Sequence, residues 1–219
     1  MKSYEKEKGA SDLIAYYVHR PIEDHIVNML RNTPIIPNQV TIIANALAYI
    51  VTALYLSGYL IPGIMLALVV GVVDGLDGKL ARAKNMATKL GKLEHAFDLL
   101  YEFSWLAALA LYLSWSTGGG AALPLGMISI MLISFYRFLY DTFSRTVGSS
   151  FDTYAPFEQR FKRIAGRRNL YNIHILIAVL LGAPLICLYS ITIHAALTAA
   201  VYALRVGYHL NNLDKVDRV

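Results

Sequence analysis

Three long stretches without a charged residue dominate the pattern of polar and apolar positions. They cover residues 32–73, 103–136 and 169–204, which are 42, 34 and 36 residues long. A membrane-crossing helix needs roughly 20 apolar residues, so each stretch has the length for two crossings. Turn-forming residues lie near the middle of each one, around Gly58–Gly63, Gly118–Gly120 and Gly182–Pro184. The pattern therefore predicts three helical hairpins, with helices at about 39–58, 62–80, 92–115, 121–144, 170–188 and 190–209.

The basic residues lie on one side of these hairpins. None of the 20 Lys and Arg residues falls in the three turns between paired helices; all lie near the termini, in the connections between hairpins or near the inner helix ends. By the positive-inside rule, both termini are expected in the cytoplasm, as in an integral protein of the cell inner membrane. The formal net charge of +5 follows from this asymmetry, so we do not expect nucleic-acid binding.

Composition supports a membrane protein. Of the 219 residues, 56% are hydrophobic and 16% charged, whereas soluble domains carry about 25% charged residues. A soluble enzyme, a disordered chain and a disulfide-stapled domain are all disfavoured, because the single Cys187 has no partner for an internal bridge. No cleavable signal peptide is expected at the polar start. We expect one all-α membrane domain over residues 1–219, with an N-terminal segment 1–35 and a six-helix region 36–210.

A short helix is predicted before the membrane region, at His19–Arg31. Pro21 suits a first helical position, and acidic residues follow it in the first turn. Ile22, Ile26 and Leu30 recur every four residues and form one apolar stripe. This pattern favours an amphipathic helix on the inner membrane surface, with a solvent-exposed lead-in helix as the alternative.

Carboxylates concentrate on the second and third predicted membrane helices. Asp74 and Asp77 are three residues apart, and Glu94, Asp98 and Glu102 are four apart, so each set shares a helix face. Acidic residues at membrane depth are costly and usually functional. Facing carboxylates repel one another unless a cation lies between them, and oxygen ligands point to Mg²⁺. An acidic relay in a proton-coupled transporter is the alternative.

The residues around these acids resemble a known family signature. The chain matches D-x2-D-G-x2-A-R-x8-G at Asp74, Asp77, Gly78, Ala81, Arg82 and Gly91. This closely resembles the signature of the CDP-alcohol phosphotransferase (phosphatidyltransferase) family, which continues with x3-D-x3-D. Pro37-Asn38-Gln39-Val40-Thr41 is similar to the family's P-N-x-x-T element. The family's six membrane helices and preceding surface helix match the layout predicted above.

The two last acids of the signature are displaced by one residue. The family pattern puts them where this chain has His95 and Leu99, but the acids here are Glu94 and Asp98, still four apart. A one-residue offset turns a helix face by about 100°. We take Glu94 and Asp98 as the equivalents of the family's acids; an inactive family member is the alternative.

The resemblance implies a reaction and a set of site residues. Family members transfer a phosphoalcohol from a CDP-alcohol donor to an acceptor hydroxyl and release CMP. They use Mg²⁺, here expected as two ions with Mn²⁺ as a substitute. The implied metal ligands are Asp74, Asp77, Glu94 and Asp98, with Asp98 also the catalytic base. The implied nucleotide-binding residues are Asn38, Thr41, Asp74, Gly78, Ala81 and Arg82.

The acceptor and the assembly are less directly indicated. Arg137 and Arg205 lie near the inner ends of the fourth and sixth helices, where they would suit an anionic acceptor such as a polyol phosphate. Snorkelling to the interface is the alternative interpretation. Basic residues between 160 and 168 are interpreted as a topology signal in contact with anionic membrane lipids. The resemblance further implies a homodimer with a cytoplasmic active site.

Overall fold

The computed structural model describes residues 12–86, 93–118 and 120–217, which form helices joined by turns. A π-helical turn, Ala15–His19, leads into nine α-helices in these ranges. They are α1 (Arg20–Leu30), α2 (Pro37–Leu56), α3 (Leu60–Ala83), α4 (Glu94–Thr117), α5 (Ala122–Val147), α6 (Phe151–Tyr154), α7 (Pro156–Phe161), α8 (Arg168–Leu180) and α9 (Leu185–Asp217). The predicted all-α membrane fold is confirmed.

Five of the described helices, α2, α3, α4, α5 and α9, are long and apolar enough to cross a membrane. The first four agree with the predicted helices to within a few residues at each end. Helix α2 starts at Pro37, whose fixed φ suits a first helical position. The turns before α3 and after α4 contain Gly58 and Gly118, both with positive φ (80° and 60°), a conformation that glycine adopts at little cost.

The fifth predicted helix, 170–188, was wrong in its extent. Helix α8 ends at Leu180, the chain turns through Gly182 at φ 69°, and α9 begins at Leu185 rather than at 190. With 13 residues, α8 is about 20 Å long, shorter than the roughly 30 Å hydrocarbon core. The ion pair between Arg168 and Asp74 places the start of α8 beside the C-terminal half of α3. The short helices α6 and α7 lie in the connection between α5 and α8.

Polar side chains and small residues hold the long helices together. Helix α2 packs on α3 and α4, α5 on α4 and α9, and α8 on α3 and α9. Trp105 on α4 donates to the carbonyl of Ala48 at 2.7 Å, and Ser129 on α5 lies 2.8 Å from Thr192 on α9. In lipid, close packing and such interhelical hydrogen bonds replace the hydrophobic effect as the main cause of helix association.

Helix α1 packs against α3 with a face that differs from the predicted one. Val27 is fully buried beside Leu76 and Leu80, with Ile26 and Leu30 at the edge of this cluster. The predicted stripe also included Ile22, but Ile22 is 43% exposed. Glu23 lies on the buried face instead, where its carboxylate pairs with Lys79 of α3. Contact of α1 with a membrane surface stays a prediction.

The α4–α5 contact depends on a missing side chain. A Cβ at Gly126 would lie 2.5 Å from the Cβ of Ala110. We expect Gly126→Ala to overpack this contact and to lower stability by about 1–3 kcal/mol, measured as a lower melting temperature in detergent. Adding Ala110→Gly should recover most of the loss. An unchanged melting temperature in the single variant would contradict this packing.

Candidate active site

Asp74 and Asp77 lie on one face of α3, in its C-terminal half. Asp77 is only 3% exposed, and its carboxylate accepts hydrogen bonds from the Thr41 hydroxyl on α2 and from the main-chain N–H of Gly78. The motif at the start of α2 therefore orients an acid of the α3 motif. Sequence reasoning assigned Thr41 to the nucleotide, and the structure adds this contact with Asp77.

Asp98 on α4 is directed toward Asp74. The two carboxylates lie close enough to interact, and Asp98 Oδ1 is buried with no hydrogen-bond partner. His95 points outward, with its side chain 65% exposed and Nδ1 3.7 Å from Asp98 Oδ2. Asp98 therefore lies beside Asp74, while its equivalence to the family's fourth acid stays a prediction. Glu94 begins α4 one turn earlier, but its side chain falls outside the described part of the structure.

Asp74 has two further partners that come from different helices. The Tyr101 hydroxyl on α4 donates to Asp74 Oδ1 at 3.0 Å, and the Arg168 guanidinium at the start of α8 donates to Oδ2. The guanidinium also lies 4.8 Å from the centre of the Tyr101 ring, a cation–π arrangement. Its side chain is 13% exposed.

Sequence reasoning missed Arg168 as a site residue. It grouped Arg168 with the neighbouring basic residues as a topology signal, although this side chain enters the bundle. The sequence does contain a signal for this role: Arg168 is the last charged residue before the uncharged stretch 169–204. An arginine at this position begins an apolar helix and lies at its buried end.

The remaining predicted nucleotide residues lie beside Asp77. Among the described residues, a Cβ at Gly78 would meet only Arg82 Nη1, at 3.5 Å, so the helix surface is open there. Ala81 and Arg82 are half-buried, and Asn38 is exposed at the start of α2. This arrangement leaves space for a ligand to approach the α3 backbone.

The N-terminal segment forms a neighbouring wall of the site. Lys79 on α3 is buried and pairs with Glu23 Oε2 at 3.0 Å and with Asp24 Oδ1 at 2.7 Å. Burial raises the pKa of the Glu23 carboxyl, although the Lys79 ammonium opposes this shift. A Cβ at Gly75 would lie 2.2 Å from Glu23 Oε1, so glycine is needed for this approach. Sequence reasoning assigned no role to these acids, since only the fold brings α1 onto α3.

Arg137 lies on the α4 side of the same region. Its guanidinium pairs with Glu102, which is 3% exposed, one turn beyond Asp98 on α4. Glu102 also lines a small cavity together with Arg168 and Tyr171, and its Oε1 has no hydrogen-bond partner. Arg137 therefore pairs with a buried carboxylate that shares the lining of a cavity with Arg168.

Arg205 belongs to a different cluster. Its Nε donates to Glu158 Oε1 on α7 at 2.6 Å, and the guanidinium lies 4.7 Å and 5.3 Å from the rings of Phe157 and Tyr208. Burial opposes ionisation of Glu158, but hydrogen bonds from Arg205 and His209 hold its pKa below the usual value. The two predicted acceptor arginines thus pair with different carboxylates, Arg137 with Glu102 and Arg205 with Glu158.

The acidic residues fit a divalent cation. Within residues 12–86, 93–118 and 120–217, no group of three or more His, Cys, Asp and Glu side chains by itself forms a metal site. Asp74 and Asp98 nevertheless bring like charges together, and the buried Oδ1 of Asp98 is unpartnered. Hard cations take such oxygen ligands, and a cation would offset the repulsion.

Comparison with known proteins agrees with this geometry. The sequence profile of the CDP-alcohol phosphatidyltransferase family matches residues 34–201. No curated protein matches the chain by sequence. Among solved structures, the fold is similar to the phosphatidylinositol phosphate synthase of Mycobacterium tuberculosis, crystallised with CDP-DAG bound. That similarity has a TM-score of 0.68 at 16% identity and covers 85% of this chain and 94% of the other.

Metal binding tests the register of α4 without any substrate. We expect Asp98→Asn to weaken Mn²⁺ binding by at least about 10–100-fold, the usual effect of losing even an outer-shell partner of a metal. Leu99→Ala should bind Mn²⁺ like the wild type, because it loses only packing. Electron paramagnetic resonance of Mn²⁺ titrated into the purified protein measures both. A larger loss of Mn²⁺ affinity in Leu99→Ala than in Asp98→Asn would show that Asp98 is not the equivalent of the family's last acid.

Proposed function

The chain belongs to the CDP-alcohol phosphatidyltransferase family, and from this premise we propose that it transfers a phosphoalcohol from a CDP-alcohol donor to an acceptor hydroxyl with release of CMP. Membership makes the chain a membrane-embedded transferase of substituted phosphate groups. One observation carries the proposal: Asp98 and Tyr101 of α4 lie against Asp74, which shares a face of α3 with Asp77.

The donor nucleotide is assigned to the surface of α3 that begins at Gly78. The open surface there lets CDP approach the backbone, and Arg82 is placed to pair with a phosphate oxygen. Thr41 holds Asp77 in orientation through its hydroxyl, and Asn38 adds a polar group at the start of α2. When bound by Asp74, Asp77, Glu94 and Asp98, a pair of Mg²⁺ ions supplies positive charge that neutralises the pyrophosphate.

Asp98 is the proposed general base. Its unpartnered Oδ1 is available to take the proton of the acceptor hydroxyl. The acceptor oxygen then forms a bond to the phosphorus that carries the donor alcohol, and the bond from that phosphorus to the CMP oxygen breaks. CMP leaves with the electron pair of that bond, so atoms and charges balance.

The acceptor is proposed to be anionic, such as a polyol phosphate. Arg137 and Arg168 both lie beside Glu102 near the acidic cluster, and guanidinium groups bind phosphate bidentately. Arg205, the other acceptor residue expected from the sequence, would have to leave Glu158 to take part. The structural neighbour holds CDP-DAG, so CDP-diacylglycerol is the first donor to test.

We further propose a homodimer whose site faces the cytoplasm. The cytoplasmic orientation accords with the basic residues in the connections between the predicted hairpins.

Release of CMP from CDP-diacylglycerol tests the proposal directly. We expect transfer to glycerol 3-phosphate or inositol 1-phosphate that requires Mg²⁺ or Mn²⁺ and stops with EDTA. Asp74→Asn and Asp77→Asn should abolish it, since each removes a metal ligand, while both variants elute as folded protein in detergent. Leu99→Ala serves as the matched α4 control and should retain activity. Full activity after exhaustive chelation would exclude the metal mechanism, and no transfer to any hydroxyl acceptor would indicate an inactive family member.

The two displaced acids are expected to differ in their kinetic effect. Asp98→Asn removes the base and should cut transfer by about 10²–10⁴-fold, the usual contribution of general-base catalysis. Glu94→Gln should mainly weaken metal affinity, so part of its activity should return at high Mg²⁺. Initial rates over a Mg²⁺ series separate the two behaviours. Recovery of Asp98→Asn at high Mg²⁺ would instead assign it to metal binding alone.

A further inference from the structure

A turn with two buried residues directly precedes the two arginines at the start of α8. It comprises residues 164–166 and is called here the pre-α8 turn. Ala165 is 1% exposed and Gly166 is buried, although neither belongs to a helix. Main-chain polar groups in such a place need partners, because an unpaired buried N–H or C=O is costly.

Side chains from two long helices provide partners for Gly166. The Tyr136 hydroxyl on α5 donates to the Gly166 carbonyl at 2.8 Å, and the Gly166 N–H donates to Thr198 Oγ1 on α9 at 2.8 Å. The Thr198 hydroxyl donates its own hydrogen bond to the carbonyl of His194 at 2.9 Å, so it is free to accept from Gly166. Hydrogen bonds from α5 and from α9 therefore hold Gly166 on both its carbonyl and its N–H.

The space around Gly166 is equally restricted. A Cβ there would lie 2.1 Å from Tyr171 Oη and 3.1 Å from Thr198 Oγ1. Tyr171 Oη is 3.1 Å from Tyr136 Oη. Tyr171, which leaves no room for a side chain at Gly166, therefore also forms a hydrogen bond with Tyr136, which donates to the Gly166 carbonyl. Only a residue without a side chain fits.

A third attachment lies at the first residue of the turn. His194 Nε2 is 2.8 Å from the carbonyl of Ile164, and His194 Nδ1 is 3.2 Å from His174 Nε2 on α8. With Nε2 donating to the carbonyl, Nδ1 accepts from His174. Helix α9 thus holds both ends of the turn, through His194 and Thr198.

The turn sets the directions of the arginines that follow it. Arg167 pairs with Asp152 on α6, and Arg168 pairs with Asp74 on α3. A small rotation at Gly166 would move both guanidinium groups away from these carboxylates. We propose that Tyr136 and Thr198 are positioning residues, which hold Gly166 so that Arg168 meets the anionic acceptor beside Asp74. This inference rests on the proposed function, in which Arg168 binds the acceptor.

Variants of Thr198 test the inference with a matched control on the same helix. Thr198→Val removes the acceptor of the Gly166 N–H, whereas Thr198→Ser keeps it. Thr192→Val removes a comparable α5–α9 hydrogen bond, the 2.8 Å contact with Ser129, without touching the turn. We expect Thr198→Val to raise KM for the acceptor about tenfold, in the range expected for leaving one buried group unpaired. KM for CDP-diacylglycerol should not change, and Thr198→Ser and Thr192→Val should match the wild type. Equal effects of Thr198→Val and Thr192→Val, or equal rises in both KM values, would overturn the inference.

A second pair of variants uses the crowding at Gly166. Gly166→Ala should raise the acceptor KM strongly. Adding Tyr171→Phe removes the atom at 2.1 Å and should restore part of the affinity. Absence of any recovery in a double variant that elutes as folded protein would contradict the turn geometry.

Binding of inorganic phosphate separates a failure of this inference from a failure of the proposed function. The probe is the rise in melting temperature in detergent as phosphate is added. Wild type and Thr192→Val should be stabilised more than Thr198→Val, whether or not the wild type transfers a phosphoalcohol. That difference in a protein without transferase activity would overturn only the proposed function. Equal responses, or no response in the wild type, would overturn the positioning role.

Discussion

Neutralisation of charged groups inside an apolar helical bundle is the constraint on which the rest of this structure depends. An ionised side chain buried without a partner is costly, and removing one partner of a buried pair leaves that cost in place. Three buried acids and the half-buried Asp74 therefore pair with arginines from other elements: Asp74 with Arg168, Glu102 with Arg137, Asp152 with Arg167 and Glu158 with Arg205. These pairs join α3 to α8, α4 to α5, α6 to the start of α8, and α7 to α9, so charge decides which polar segments meet.

Asp74 on α3 and Asp98 on α4 bring two carboxylates together, and that is where chemistry is expected. Arg168 and Tyr101 both donate to Asp74, whereas Asp98 retains a buried oxygen without a hydrogen bond. Hard cations favour such oxygen ligands, and in the proposed function the Mg²⁺ ions would attract an anionic substrate such as a pyrophosphate. Under that proposal, the carboxylates that are costly to bury are the groups that bind the metal.

The start of α8 combines this charge pairing with a partly buried turn. Directly before the two arginines, Ala165 and Gly166 are buried without being helical, so their polar backbone groups need side-chain partners. Tyr136, Thr198 and His194 serve that purpose for residues 164–166. A continuous helix would satisfy its own backbone but would carry Arg168 away from the carboxylates. The non-helical residues 164–166 therefore allow the Arg168 guanidinium to reach Asp74 inside the bundle.

The sequence by itself determined the elements whose cause is local. Uncharged stretches and central glycines predicted most of the membrane helices, because hydropathy, turn preference and helical periodicity act between near neighbours. The roles of the acids that motif spacing singled out stay predictions. Only the tertiary structure decided the rest. Periodicity placed Glu94 and Asp98 on one face, yet only the packing of α4 on its neighbours directs Asp98 rather than Leu99 toward Asp74. Arg168 meets Asp74 across 94 residues of sequence, and α1 turns Glu23 inward and Ile22 outward because Lys79 lies beneath it. No local pattern encodes such contacts, since their energy comes from partners that only folding brings together.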